Sequence, residues 1–333
     1  MQFLFPLVND EQTLKRLEIP EKSLASFLKE GGFSGVELLK TEPLQPYIPR
    51  ELIKGRHLYF YPIWYDFWQG RKKQLMAEFH HREAVISYYG TDDPQRFAQN
   101  IARDWADADE MGACYVVHHV SHTSLRESFT GVYELQDEEV ASAFCTLIQA
   151  ALGYYQPKAR ILLENQWVPG LTFLNPSILD YLIGILGSDR VGFVLDTGHL
   201  LNTAPDLATP QEALAYLQRR VASLTPYRNL IETVHLNYSL SGAYVRAARS
   251  SMPLTPKMGF WEKMEKALPH IGAIDRHEPF LVPGIQEVLE ALDPKYVVFE
   301  ISYRDRRDAL NQWGRQKKLL GDLKDGEDAP GAS

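Results

Sequence analysis

The chain has 333 residues, of which 45% are hydrophobic, with two cysteines and a formal net charge of −8. That is ample material for a core, and no apolar run approaches the roughly 20 residues that span a bilayer. The acidic balance argues against a partner held by bulk positive charge, nucleic acid above all.

Length alone gives a prior of about two domains, but (β/α)8 barrels of about 250 residues or more form one. The N-terminus, Met-Gln-Phe-Leu-Phe-Pro-Leu-Val-Asn-Asp, has no basic stretch and only a short apolar one, so no signal peptide is expected. Cys114 and Cys145 sit in apolar contexts and read as reduced packing residues. The expected location is the cytoplasm.

Short β-branched and aromatic runs predict eight strands in chain order, over 3–7, 36–39, 58–62, 115–120, 161–164, 192–196, 233–236 and 296–301. Most are continuous apolar runs, as in a parallel sheet covered on both faces. Amphipathic stretches separate them. A helix over 96–111 places Phe97, Ile101 and Trp105 at steps of four. One over 137–154 puts Val140, Phe144, Leu147, Ile148 and Ala151 on one face. Thr209-Pro210-Gln211-Glu212 reads as a capping box with proline at the first helical position. Helices are also expected over 260–268, 283–292 and 306–320. Eight alternations favour one α/β domain, a single (β/α)8 TIM barrel over 1–320, against a doubly wound open sheet. A long loop or lid is expected over about 238–274, and a flexible tail over 321–333.

The strands end on ligands. Glu164 closes Ile-Leu-Leu-Glu, and Asp196 closes Gly-Phe-Val-Leu-Asp, with His199 following in Asp-Thr-Gly-His. His235 closes Glu-Thr-Val-His, Glu300 closes Tyr-Val-Val-Phe-Glu, and His118 with His119 closes Tyr-Val-Val-His-His. Barrel active sites lie at these C-terminal strand ends. A single carboxylate there is most simply a helix cap or an ion-pair partner. Several on successive strands suit a divalent cation: Mn²⁺, Zn²⁺, Mg²⁺ or Co²⁺.

From about Gly31 to about Ser302 the chain resembles the xylose isomerase-like TIM-barrel superfamily, which includes sugar isomerases and epimerases and endonuclease IV-type proteins. The resemblance is carried by Gly32-Phe33-Ser34-Gly35-Val36-Glu37-Leu38, Asp196-Thr197-Gly198-His199, His235-Leu236-Asn237 and Asp275-Arg276-His277, in that order. It implies that Glu164, Asp196, His235 and Glu300 bind the metal, and that Glu164 and Glu300 are also the catalytic proton carriers. His199, Asp275 and His277, with His118 or His119, match a further set that holds a second metal or grips substrate. Neighbours on a strand face opposite ways, so one of His118 and His119 faces the pocket, and the position nearer the strand end favours His119.

The nuclease branch has another metal histidine after strand three. This chain has Leu58-Tyr59-Phe60-Tyr61-Pro62-Ile63-Trp64-Tyr65-Asp66-Phe67-Trp68 there, without a histidine, so a full three-zinc site is not expected. The aromatic cluster reads as a sugar-stacking wall or as core. His57, which begins a strand, is expected to have no direct role, and the same holds for His80, His81, His122 and His270. Lys40, Arg50 and the basic residues Arg246, Arg249 and Lys257 could meet an anionic substrate, though a solvated surface is the simpler reading. The leading expectation is a divalent-metal-dependent isomerase or epimerase of a small sugar or sugar-derived ketone, working through an enediolate. Second comes an endonuclease IV-like phosphodiesterase acting on abasic DNA, and third a non-catalytic sugar-binding barrel. The expected partner is a small sugar-like molecule, with no nucleic acid and no membrane; the sequence leaves the oligomeric state open.

Overall fold

The computed structural model describes residues 1–249 and 252–321. The tail expected over 321–333 lies outside the described residues, apart from Gly321. Eight strands form a closed parallel barrel in chain order: β1 (Gln2–Val8), β2 (Gly35–Leu39), β3 (Ile53–His57), β4 (Tyr115–His119), β5 (Arg160–Glu164), β6 (Val191–Asp196), β7 (Ile231–His235) and β8 (Tyr296–Val298). β8 returns to β1 through Gln2 opposite Tyr296 and Leu4 opposite Val298. No helix among the described residues is long and apolar enough to cross a membrane.

Two cores result from strand alternation. Leu4, Tyr115, Val117, Leu162, Val194, Tyr296 and Val298 fill the barrel interior. The opposite strand faces pack against the helix layer in one larger cluster. Each fully buried aliphatic or aromatic side chain contributes about 1.5–3 kcal/mol relative to exposure, so the barrel rests chiefly on this double burial.

The helices follow their sequence signals. Helix Pro94–Met111 starts at Asp93, whose side chain accepts from the Gln95 amide, and buries Phe97 and Trp105. The capping box at Thr209 and Glu212 opens helix Pro210–Ser223. Helix Arg306–Leu320 matches its expected span. Helix Ile285–Leu292 begins two residues later than expected, after a left-handed Gly284.

Strand three is a correction. The apolar run 58–62 is not the strand; Ile53-Lys54-Gly55-Arg56-His57 is. That segment looks polar because its neighbours supply what its side chains lack. Gly55 leaves room for the Tyr115 ring, which a Cβ there would meet at 2.2 Å. Arg56 points outward and is paired with Asp104 at 2.9 Å and with Asp107, both on helix Pro94–Met111. The aromatic stretch lies beyond the strand, at the barrel mouth. β8 is also shorter than expected and stops at Val298, so Glu300 stands in the loop just past it.

The segment 238–274 contains two helices, Gly242–Ala248 and Phe260–Ile274. The second stacks Phe260 on Phe79, with ring centroids 4.1 Å apart, and seats Lys263 3.0 Å from His80 Nε2. Its C-terminal end brings Ile271 and Asp275 to the wall of the mouth.

Candidate metal centre

Strand alternation aims the site. In β4 the interior holds Tyr115 and Val117, so His119 two residues on also points inward. The same step carries Leu162 to Glu164, Val194 to Asp196 and Val298 to Glu300. His118 faces the helix layer, where its Nε2 accepts from Trp105 Nε1 at 2.8 Å. His57 ends β3 facing the same mouth.

Glu164 is the hub. Its Oε2 lies 3.2 Å from His57 Nε2 and 3.1 Å from His119 Nε2. Its Oε1 lies 3.3 Å from both His199 Nδ1 and His235 Nδ1. Each carboxylate oxygen therefore faces a different group of donors. Glu164, Asp196, His235 and Glu300 form one group, and Glu164 with His57 and His119 forms a second. His199, Asp275 and His277 form a third, in which both histidines approach Asp275 Oδ2, at 3.2 and 2.7 Å.

Hydrogen bonds on the outer side of two rings turn the other nitrogen to the site. His57 Nδ1 is 2.9 Å from the Leu58 carbonyl, so it carries a proton, and Nε2 is the nitrogen turned to Glu164. His235 Nε2 is 3.1 Å from Glu37 Oε1, which turns Nδ1 toward Glu164 and toward Glu300 at 3.2 Å. Glu37 is itself fixed by the Tyr115 hydroxyl at 2.7 Å. A carboxylate behind a histidine is the usual outer partner of a metal ligand. Asp196 is oriented by the His199 amide at 2.6 Å and by Asn237 Nδ2 at 2.7 Å. The Asp-Thr-Gly-His motif needs its glycine for this, because a Cβ at Gly198 would lie 1.8 Å from Asn237 Oδ1.

Five carboxylates (Glu37, Glu164, Asp196, Asp275, Glu300) share this space with five histidines (His57, His119, His199, His235, His277). Burial pushes Asp196 up, and the charges of Glu164, Glu300 and Asp275 add to it; despite His199 its carboxyl rises to about 7. Burial alone would lower His57, but hydrogen bonding and charge from Glu164 raise it to about 9. Asp275 likewise overcomes burial and lifts His277 to about 9. His199 and His235 are held well above their usual value by the same competition. Glu164 is held well below, because His119 and His235 outweigh its burial.

The donor set fits divalent cations. Ligands bound at about 2.0–2.3 Å lie about 2.8–3.8 Å from one another in octahedral or tetrahedral sites, and His235 Nδ1 lies 3.3 Å from Glu164 Oε1 and 3.2 Å from Glu300 Oε1. Glu164 Oε1 and His235 Nδ1 are buried without a hydrogen-bond partner despite their 3.3 Å approach.

Of the residues singled out from the sequence, Glu164, Asp196, His235, Glu300, His199, Asp275, His277 and His119 converge at the mouth, and His118 does not. Two further residues belong to the site that sequence reasoning passes over. His57 is discounted only when strand three is placed five residues late; with the strand at Ile53–His57, it ends a strand at the mouth as the other candidates do. Glu37 sits inside a motif, and its only signal is a carboxylate in an otherwise apolar strand. Lys40 is paired with Asp107 at 2.6 Å and Arg50 with Glu110 at 3.4 Å, away from the centre.

The donors open into a cleft of about 410 Å³ walled by Leu39, Phe60, Trp167, Ile271 and Tyr303. No lysine or arginine lines it among the described residues.

Among solved structures the chain is similar to an L-ribulose 3-epimerase, at 14% identity over 93% of this chain and 85% of that one, with a TM-score of 0.45. It is similar to a xylose isomerase-like TIM barrel protein from Mycobacterium smegmatis in complex with magnesium (14% identity, 96% of both chains, TM-score 0.46). It is also similar to a xylose isomerase domain-containing protein from Salmonella typhimurium LT2 (15% identity, 95% of this chain and 96% of that one, TM-score 0.47). No curated protein matches the chain. The model of one family, described as xylose isomerase-like TIM barrel, matches residues 25–319, and the chain belongs to that family.

Proposed function

We propose that the barrel is a divalent-metal enzyme that hydrolyses a phosphate ester of a small, sugar-like molecule at its C-terminal mouth. The observation that carries this reading is His57, which with His119 occupies the second oxygen of Glu164. Glu164 is then a bridge between donor groups rather than a free base. Its side chain has no exposed surface, so neither oxygen is open to a substrate carbon.

Glu164, Asp196, His235 and Glu300 would hold one cation, His57, His119 and Glu164 a neighbour, and His199, Asp275 and His277 a third. Bound cations there would supply a water of lowered pKa and neutralise phosphoryl charge. The chain's own part is placement. Glu37 fixes the His235 ring, Asn237 and the His199 amide fix Asp196, and the aromatic walls exclude bulk water. A cleft of this volume suits a small molecule, and the lack of lysine and arginine among its described lining residues, with the net charge of −8, disfavours a nucleic-acid backbone.

The isomerase or epimerase reading keeps one specific support. Glu300 is a member of the tetrad, and 14% of its side chain is exposed at the cleft, so it can reach a substrate proton. The test separates the two. Purified protein reconstituted with Zn²⁺ or Mn²⁺ is assayed on 4-nitrophenyl phosphate and bis(4-nitrophenyl) phosphate, and in parallel for solvent deuterium uptake by a panel of ketoses. Chelator-sensitive hydrolysis that His57→Ala reduces by more than the about 10–100-fold typical of losing an outer partner is expected. Deuterium uptake without hydrolysis would transfer the assignment to the isomerase.

A further inference from the structure

Beside the metal cleft lies a second one, of about 270 Å³, and Trp167 belongs to the walls of both. Its chemistry is the reverse of the first. The metal cleft carries carboxylates and no lysine or arginine; the side cleft is lined by Arg249 and by no aspartate or glutamate among the described residues. Arg249 comes from the turn after helix Gly242–Ala248, within the 238–274 insertion. It is exposed, and its guanidinium makes no ion pair among the described residues. The guanidinium lies over Gly131, where a Cβ would stand 2.7 Å from Nη2, so the glycine keeps the space it occupies.

Ser128, Tyr133, Thr172 and Thr203 add hydroxyls to the lining, and two further polar groups differ in what they have left to offer. His270 is spent, with Nδ1 2.8 Å from the Tyr244 hydroxyl and Nε2 2.9 Å from the Ser128 carbonyl. Asn202 is half free: its Oδ1 accepts from the Ser241 hydroxyl at 2.8 Å, while its Nδ2 is buried with no acceptor. A guanidinium and an amide donor without partners among the described residues, hydroxyls beside them and no carboxylate in the described lining select an anionic oxygen group.

We propose that the side cleft is a second substrate subsite, which binds a remote phosphoryl or carboxylate group while the ester bond sits across Trp167 at the metal centre. The substrate class narrows to a small phosphate ester carrying a second anionic group. This rests on the hydrolytic reading for the identity of the substrate, but not for the existence of the anion site.

The test is calorimetric titration of the chelator-treated full chain at constant ionic strength, with inorganic phosphate and, separately, malonate. Wild-type protein should bind one of them with a dissociation constant in the range of about 1 mM, and Arg249→Gln should weaken that binding about tenfold or more. Arg249→Lys should restore part of it, and Arg50→Gln, which removes a positive charge elsewhere, should leave it unchanged. Tighter phosphate binding assigns a phosphoryl group, and tighter malonate binding a carboxylate. Equal binding by wild type and Arg249→Gln, or no heat from either probe at about 20 mM, would overturn the proposal. Because the titrated protein carries no cation, failure of the hydrolytic reading would leave these curves unchanged.

Discussion

At the scale of single residues, two adjacent histidines separate structural from functional roles. His118 faces outward and accepts from Trp105; burial, with the nearby His119 and His57, pushes it down to about 3, so it stays neutral. His118→Leu strands the indole N–H and should cost about 1–3 kcal/mol in denaturant titrations while leaving the metal content unchanged. His119→Ala should do the opposite, lowering metal content with less effect on stability. Glu37→Gln keeps the shape of the support behind His235 but removes its charge, and is expected to weaken metal affinity by about 10–100-fold, read by competition with a chromophoric chelator. Most of these positions are legible as strong ligands ending apolar strands. Which of His118 and His119 faces inward is only weakly legible, because alternation fixes relative facing but not which residue starts the interior row.

At the scale of elements, the barrel is legible because its strands are apolar on both faces and its helices carry capping signals such as Thr209 with Glu212. The one strand that escapes, Ile53–His57, hides its role in its partners. Its interior position is a glycine filled by Tyr115, and its outward position is an arginine neutralised from helix Pro94–Met111. A strand placed late takes its terminal histidine out of view with it. The turn after β6 makes a sharper test of how an element holds the site. Gly198→Ala drives a methyl group into Asn237, the residue that orients Asp196, and should destabilise the fold by about 1–3 kcal/mol. Thermal unfolding should record that loss, and reconstitution should show a parallel loss of bound metal.

At the scale of the whole molecule, the mouth makes stability depend on pH and on metal together. In protein stripped of metal, His57 and His277 are raised to about 9, so their contribution is complete below the unfolded value of 6.5 and is lost as pH rises through about 9. Asp196, raised from 3.8 to about 7, acts in the same direction over a lower window, its contribution being lost as pH rises from about 3.8 through about 7. The melting temperature of the stripped protein should therefore fall between pH 6.5 and 9. Divalent metal replaces protons as the source of positive charge, so the loaded protein should lose less over that window, or gain. Equal slopes would show that the histidines do not depend on Glu164 and its neighbours for their charge. The central claim is that Glu164 bridges two donor groups, and native mass spectrometry of Zn²⁺-reconstituted protein tests it most directly. The account predicts about two or three ions per wild-type chain and at least one fewer in His57→Ala; a single ion in both proteins would contradict it.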